Sequence, residues 1–508
     1  MRLVNISLGS YNYTSRLPLR AKATLVSHLP SFFMNLIWQR FTLSYLPLKE
    51  YLTSSYLHRF LVGLLHSWRQ GSVLIQWGDI IAAGLLSLVY ALAPFASSAL
   101  VGVLLVACVG FWLLLTLSDE PSPAQGLLFT PIHLLVFLYW GIAGVATALS
   151  PVKKAALTDL LTLTLYLLLF VLCARVLRSA RLRSWIITLY LHVSLIVSVY
   201  GMRQWFFGAP ALATWNDPES AFSKTTRVYS YLGNPNLLAG YLLPAVVLSL
   251  VAIFVWQSWY KKALALTMLI VNTACLIFTF SRGGWIGLVV AILTVMVLLF
   301  YWWNAQMPAF WRTWSLPIIL GALIGVLVIA IVFVEPVRLR FFSIFADRGD
   351  SSNNFRRNVW DAVFEMIRDR PIIGIGPGHN AFNKIYPLYQ RPRYSALSAY
   401  SILLEVTVET GFVGLACFLW LIIVTFNTAF LQLRRLRESM NIEGFWLIGA
   451  FATLLGMLAH GTVDTIWFRP EVNTLWWLMV ALIASYWTPL KQGQSSELNS
   501  PDPQPATN

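Results

Sequence analysis

Apolar positions in this chain come in long blocks and not in short alternations. From about residue 77 to residue 487, runs close to the ~20 residues that cross a bilayer as a helix follow one another, separated by short polar breaks. Twelve such spans are predicted, centred on residues 79–96, 98–117, 131–149, 156–176, 184–204, 236–256, 262–281, 284–302, 315–334, 403–428, 444–463 and 472–487. The pattern therefore predicts an all-α polytopic membrane protein of about 12 transmembrane helices, with one large external loop, 335–399, between the ninth and tenth.

The flanks have a different texture. Residues 1–76 carry eight Lys or Arg against the single acid Glu50. In that region Leu57, Phe60, Leu61, Leu64, Leu65 and Trp68 recur at helical spacing among His58, Arg59, His66 and Arg69, which suits a basic amphipathic helix on the cytoplasmic membrane face or on the protein's own cytoplasmic side. No apolar core followed by a cleavage site precedes it, so a signal peptide is not expected. The tail, 488–508, is rich in Ser, Pro, Gln and Asn and reads as disordered. Three regions result: 1–76, a membrane domain over 77–487, and the tail.

Composition and charge fix the orientation. Of 508 residues, 58% are hydrophobic and 11% charged, and the mean hydropathy is +0.68. In that setting the net charge of +15 is a topology signal before it is a nucleic-acid signal. Arg175, Arg178, Arg181, Arg183, Lys261, Lys262, Arg312, Arg434, Arg435 and Arg437 fall on one set of connections, which predicts a plasma-membrane protein with both termini cytoplasmic. Cys108, Cys173, Cys275 and Cys417 lie in apolar runs without paired or metal-ligand spacing, so neither a disulfide framework nor a metal site is expected. No nucleic-acid partner is expected either.

The large loop holds ten Lys or Arg against six acids, a balance that favours an anionic ligand. Asn354 is expected to cap a loop helix whose apolar stripe is Val359, Trp360, Val363, Phe364 and Ile367, ended by Pro371. Beyond it GIGPGHN, 374–380, allows a tight turn with exposed backbone N–H groups. Arg356 and Arg357 open the helix; Asp361 and Glu365, one and two turns on, would pair with them on its surface.

Four further features can carry chemistry. Arg282, in FTFSRGGWIGL, is a charge between two spans, where it needs a partner, a substrate or lipid headgroups, and its fork suits phosphate or carboxylate. Asn236, in LGNPN, is expected to cap the sixth span, with Arg227 close before it as a further candidate for anion binding. His379 is the one histidine of the large loop and can titrate near neutral pH. Glu405 and Glu409 share a helix face, and Asp464 ends the eleventh span; acids so placed must be paired, protonated or facing water.

Taken in order, SRGGWIGL, RRNVWDAVFEMIRDRPIIGIGPGHNAF and LLEVTVETGFVGL resemble the O-antigen ligase and polymerase superfamily over roughly residues 220–470. GNPNLLAGYLLP and RYSALSAYSILLEV resemble its cyanobacterial IctB branch, whose members are named as bicarbonate transporters. The resemblance implies glycan transfer from a polyprenyl-pyrophosphate-linked donor to a glycan acceptor, without a cofactor or required metal. It also implies that Arg282 and one of Arg356 and Arg357 bind the pyrophosphate, with Glu409 and Asp464 positioning them. Bicarbonate transport and a nonenzymatic lipid-glycan scaffold are the alternatives. Ligases carry a histidine nine positions before the glutamate of E-T-G as the expected base. Tyr400 stands there in this chain, and with an unperturbed pKa of about 10 it is a poor base, leaving His379 as the substitute.

Overall fold

The computed structural model describes residues 34–35, 37–44, 46, 51, 54–56, 60, 62–119, 129–210, 226–342 and 351–488. The chain divides into two units, 48–488 and 1–47 with 489–508. In the second unit, the described residues form a helical turn in which the Thr42 hydroxyl donates to the Trp38 carbonyl. Of the expected amphipathic helix, Leu57, His58, Arg59 and Leu61 lie outside the described residues, as does the tail from residue 489.

The first unit is all-helical among the described residues. Its principal helices are α1 (Gly78–Leu92), α2 (Ser98–Ser118), α3 (Pro131–Ala148), α4 (Lys153–Val176), α5 (Ala180–Phe207), α6 (Pro235–Val255) and α7 (Trp259–Phe278). After these come α8 (Arg282–Trp303), α9 (Ala309–Phe333), α10 (Ser351–Asp369), α11 (His379–Ile385), α12 (Ile402–Glu438), α13 (Gly444–Gly461) and α14 (Pro470–Ser485). Every expected span falls on a helix, but nine helices among the described residues, and not twelve, are long and apolar enough to cross a membrane. α1 has 15 residues and α14 has 16.

Alternation of the helices gives the bundle two ends. Arg175, Arg183 and Glu443 lie at one. The starts of α4, α6, α8, α12 and α14 and the finish of α13 lie at the other, together with α10 and α11. Of the nine spans, α6 and α13 are the most enclosed. The face that α8 turns to α13 is made of glycine: a Cβ built on Gly287 would stand 2.6 Å from the Gly456 carbonyl, and one on Gly456 would stand 2.7 Å from the Gly287 carbonyl. Small residues at this spacing let two membrane helices touch along their backbones.

The large loop is an ordered layer. Val359, Val363, Met366 and Ile367 of α10 pack with Ile375, Phe382, Tyr386 and Val408. Phe364, expected in this stripe, is exposed. Asn354 is not the cap, because α10 is already under way at Ser351; its side chain contacts Tyr394 and Asn358 instead.

A break in α12 fixes the layer to the bundle. Gly411 has φ 69°, the left-handed region that glycine adopts without strain. The break interrupts the intrahelical hydrogen bonds, and the strand-like segment 371–376 takes their place. Phe412 and Val413 N–H donate to the Pro371 and Ile372 carbonyls, while the Val408 and Glu409 carbonyls accept from Ile375 and Gly376 N–H. GIGPGHN therefore does not present free amides to an anion as expected: Gly374 N–H donates to Arg370, and the two residues after it are taken by α12. Its other end is held by Asp159 of α4, which accepts from Asn380 N–H at 2.7 Å, Ala381 N–H at 3.1 Å and the Asn380 amide at 2.6 Å. That carboxylate supplies the cap that Gly378 cannot.

Candidate functional site

Three arginines from different parts of the sequence meet at the second end of the bundle. Arg282 is the first residue of α8 and is buried, its helix capped by the Ser281 hydroxyl, which accepts from Gly284 N–H. Arg356 comes down from α10; its Nη2 lies 3.7 Å from Asp464 and its Nη1 donates to the Ser352 hydroxyl at 2.9 Å. Arg227 donates from Nε to the Thr279 carbonyl at 3.0 Å and from Nη2 to Asn236 at 3.4 Å. Burial and the positive charges of Arg282 and Arg356 push Arg227 down to about 10, with Asp464 acting the other way, so it remains a cation at neutral pH. Asp464 thus lies within reach of Arg356 and Arg227, and Arg282 is beside Arg227.

Asp464 follows α13 and is itself buried. Burial holds its carboxyl above the ordinary carboxylate range, against the pull of Arg356, Thr465 N–H, Arg227 and the Asn236 amide. Asn236 is free for this contact because it is not the helix cap. Asn234 is, accepting from Asn236 and Leu237 N–H. The expected surface pairing of Arg356 and Arg357 with Asp361 is likewise replaced. Asp361 pairs with Arg391, Arg356 turns inward, and Arg357, about 100° further round the helix, is exposed.

Tyr400 reaches this cluster and His379 does not. Tyr400 has φ 49° and sets its ring edge-on to Phe355 at 5.5 Å. Burial and the nearby Asp464 charge push its hydroxyl up to about 12, with Arg356 opposing. A phenol in that state keeps its proton at neutral pH and acts as a hydrogen-bond donor. His379 is tied into the loop: its Nδ1 lies 2.7 Å from the Leu397 carbonyl and its Nε2 accepts from the Asn383 amide at 2.8 Å, with Phe468 stacked on the ring.

The two glutamates differ from expectation. Glu405 accepts from Ala399 N–H at 2.6 Å and lies 3.5 Å from the Thr465 hydroxyl, next in sequence to Asp464. Glu409 positions no arginine: its carboxyl accepts from Gly378 N–H, and the charges near it are those of Glu405 and Asp159. Both line a cavity of about 180 Å³ with Tyr139, Asp159, Trp467 and Phe468. Arg469 pairs with Glu471.

One residue of the cluster was missed from sequence. His460, on the last turn of α13, is fully buried, with both ring nitrogens lacking a hydrogen-bond partner, within the electrostatic reach of Arg356. It packs on α8 where Gly283 leaves room; a Cβ there would stand 2.5 Å from the imidazole Cδ2. The signal was a histidine inside the apolar run that ends in AHGTVD, since an ionisable residue within a span marks a functional position by default.

Residues 264–419 match the family model of the O-antigen ligase, Wzy_C. The matched segment contains Arg282, Arg356, Tyr400, Glu405 and Glu409, while Arg227, Asn236, His460 and Asp464 come to the cluster from outside it. None of the curated proteins matches the chain. The chain is a multi-pass membrane protein with an O-antigen ligase-like domain, and that likeness suggests lipid-linked glycan substrates.

Proposed function

We propose that the Arg227–Arg282–Arg356 cluster binds the pyrophosphate of a polyprenyl-linked glycan and that the chain transfers the glycan to an acceptor hydroxyl. The observation that carries this reading is the gathering of three guanidiniums, with Arg356 and Arg227 acting on the buried Asp464 and Arg282, itself buried, beside Arg227. A group of cations at such a place suits a ligand of opposite charge. Pyrophosphate offers oxygens for several forked donors at once. The positive-inside pattern supports an extracytoplasmic position for this end of the bundle, where such carriers display their glycans, and α1, α9 and α14 would bring the crossings to twelve.

In the transfer step the acceptor oxygen bonds to the anomeric carbon as the bond from that carbon to the phosphate oxygen breaks. The polyprenyl pyrophosphate leaves with the bonding electrons, and the arginines stabilise its charge. The hydroxyl proton must go to a base. Tyr400 is unsuited to that role and donates instead to a phosphate oxygen. Glu405, held by Ala399 N–H between the cluster and the cavity, takes the proton.

Membranes containing Arg282→Ala should lose glycan transfer, and Glu405→Gln should lower the rate of transfer while leaving donor binding in place. Transfer that survives Arg282→Ala removes the donor-site assignment. We place the chain in the IctB branch on GNPNLLAGYLLP and RYSALSAYSILLEV. Saturable bicarbonate flux into liposomes carrying the purified protein, with no glycan transfer, would move the reading to transport. Binding of a lipid-linked glycan without either activity would make it a scaffold.

A further inference from the structure

We propose that the cavity beside the arginine cluster is a separate binding site for an uncharged, hydroxyl-bearing sugar ring, the acceptor end of the reaction. This rests on the transferase reading for its role, though not for its chemistry. The cavity, about 180 Å³, has two unlike walls. One is aromatic, with Tyr139, Trp467, Phe468 and Trp477; the other carries the carboxyls of Asp159, Glu405 and Glu409.

The acid wall decides what can enter. Three carboxyl groups from two helices offer a phosphate no opposite charge, so the charged part of a donor stays with the arginines. Each acid is also held in place by backbone: Glu405 by Ala399 N–H, Glu409 by Gly378 N–H, and Asp159 by Asn380 and Ala381 N–H. A carboxylate has about four acceptor positions, so each anchored group keeps capacity for a donor from the ligand. Sugar hydroxyls are such donors, and the C–H faces of the ring are apolar enough to lie on aromatic side chains.

Position supports the assignment. Glu405 and Thr465 line the cavity and touch each other, and Thr465 follows Asp464, the acid that holds Arg356. The partition between the two sites is therefore about one side chain thick, and a ring seated in the cavity would present a hydroxyl to Glu405 beside the pyrophosphate site. The mouth is reachable, since Thr162 and Phe468 on its lining are exposed.

The purified full chain in detergent should show saturation-transfer NMR signals from methyl hexosides, and a saturable response to each that binds. Thr162→Trp, which obstructs the mouth from an exposed position, and Phe468→Ala, which removes a rim ring, should each weaken this binding about tenfold. Arg282→Ala should leave it unchanged while weakening pyrophosphate binding. No saturation transfer to any methyl hexoside overturns the proposal. So does binding of tetramethylammonium in the cavity with no glycoside binding, which would make this an ammonium cage. Loss of glycoside binding in Arg282→Ala would show that the two sites are one. Pyrophosphate binding is read separately, so its absence would overturn the donor reading while leaving the sugar result to stand or fall alone.

Discussion

The two ends of the bundle both bury arginines, and they treat them differently. At one end Arg183 donates to Glu443 at 2.5 and 3.0 Å and to the Leu177 carbonyl at 2.8 Å, and lies over the Tyr486 ring, whose hydroxyl donates to the same glutamate. Arg175 bonds to Asp119 and Asp79, and Arg69 shares Asp119. Cations and acids there are interleaved, and the helices are fastened by the result. At the other end Arg356 and Arg227 act on Asp464, and Arg282 lies beside Arg227. Interleaved charges serve the fold, whereas gathered guanidiniums suit the anion proposed above.

Arginine deletion should therefore have different consequences at the two ends. Removing one partner of a buried ion pair leaves an uncompensated charge, so Arg183→Ala should destabilise the protein by about 3–5 kcal/mol. Thermal unfolding of the purified protein in detergent measures this; an unchanged midpoint would mean that the paired end is not a fastening. Arg282→Ala should lower the midpoint less than Arg183→Ala does, because its removal also relieves repulsion with Arg227. The same variant should weaken pyrophosphate binding by about 1.5–3 kcal/mol, the range of a hydrogen bond to a charged group, as read by calorimetry. A large loss of stability without a loss of binding would reverse the comparison.

The second end also depends on a backbone device that the first lacks. A Cβ added at Gly411 would stand 2.1 Å from the Ile372 carbonyl oxygen, in a conformation that L residues adopt only with strain. Gly411→Ala should cost about 1–3 kcal/mol and loosen the 371–376 segment. Hydrogen exchange at Ile375 and Gly376, whose amides are held by α12, should rise in that variant while exchange around Arg183 stays the same.

Much of this was legible in the sequence, for a reason that also sets the limit. Charges inside apolar runs are expensive, so Arg282, Glu405, Glu409 and Asp464 stand out at once and all lie at one end of the bundle. What sequence spacing does not carry is direction. Arg356 and Arg357 are neighbours, yet the helix turns one inward to Asp464 and leaves the other exposed. Glu405 and Glu409 do share a face, as four-residue spacing requires, but that face lines the cavity and not the arginines. Gly411 was visible in the E-T-G motif; that it breaks the helix, and so consumes amides of GIGPGHN, depends on the segment 371–376, about 35–40 residues earlier in sequence.

The finest test of the comparison is the acid at the centre of the cluster. Burial holds Asp464 protonated to higher pH than an ordinary aspartate, and Arg356 and Arg227 oppose this. As pH falls through its titration the carboxylate is neutralised, Arg356 loses its competing partner and the cluster becomes more positive. Anion affinity should therefore rise as pH falls, by about 1 kcal/mol, or about fivefold, for one charge near contact distance. Sulfate is a suitable probe because its own charge stays constant over that range. Asp464→Asn should hold the higher affinity at every pH and flatten the profile. A profile equally steep in the variant would place the titrating group elsewhere, and with it the balance of charge that distinguishes this end of the bundle from the other.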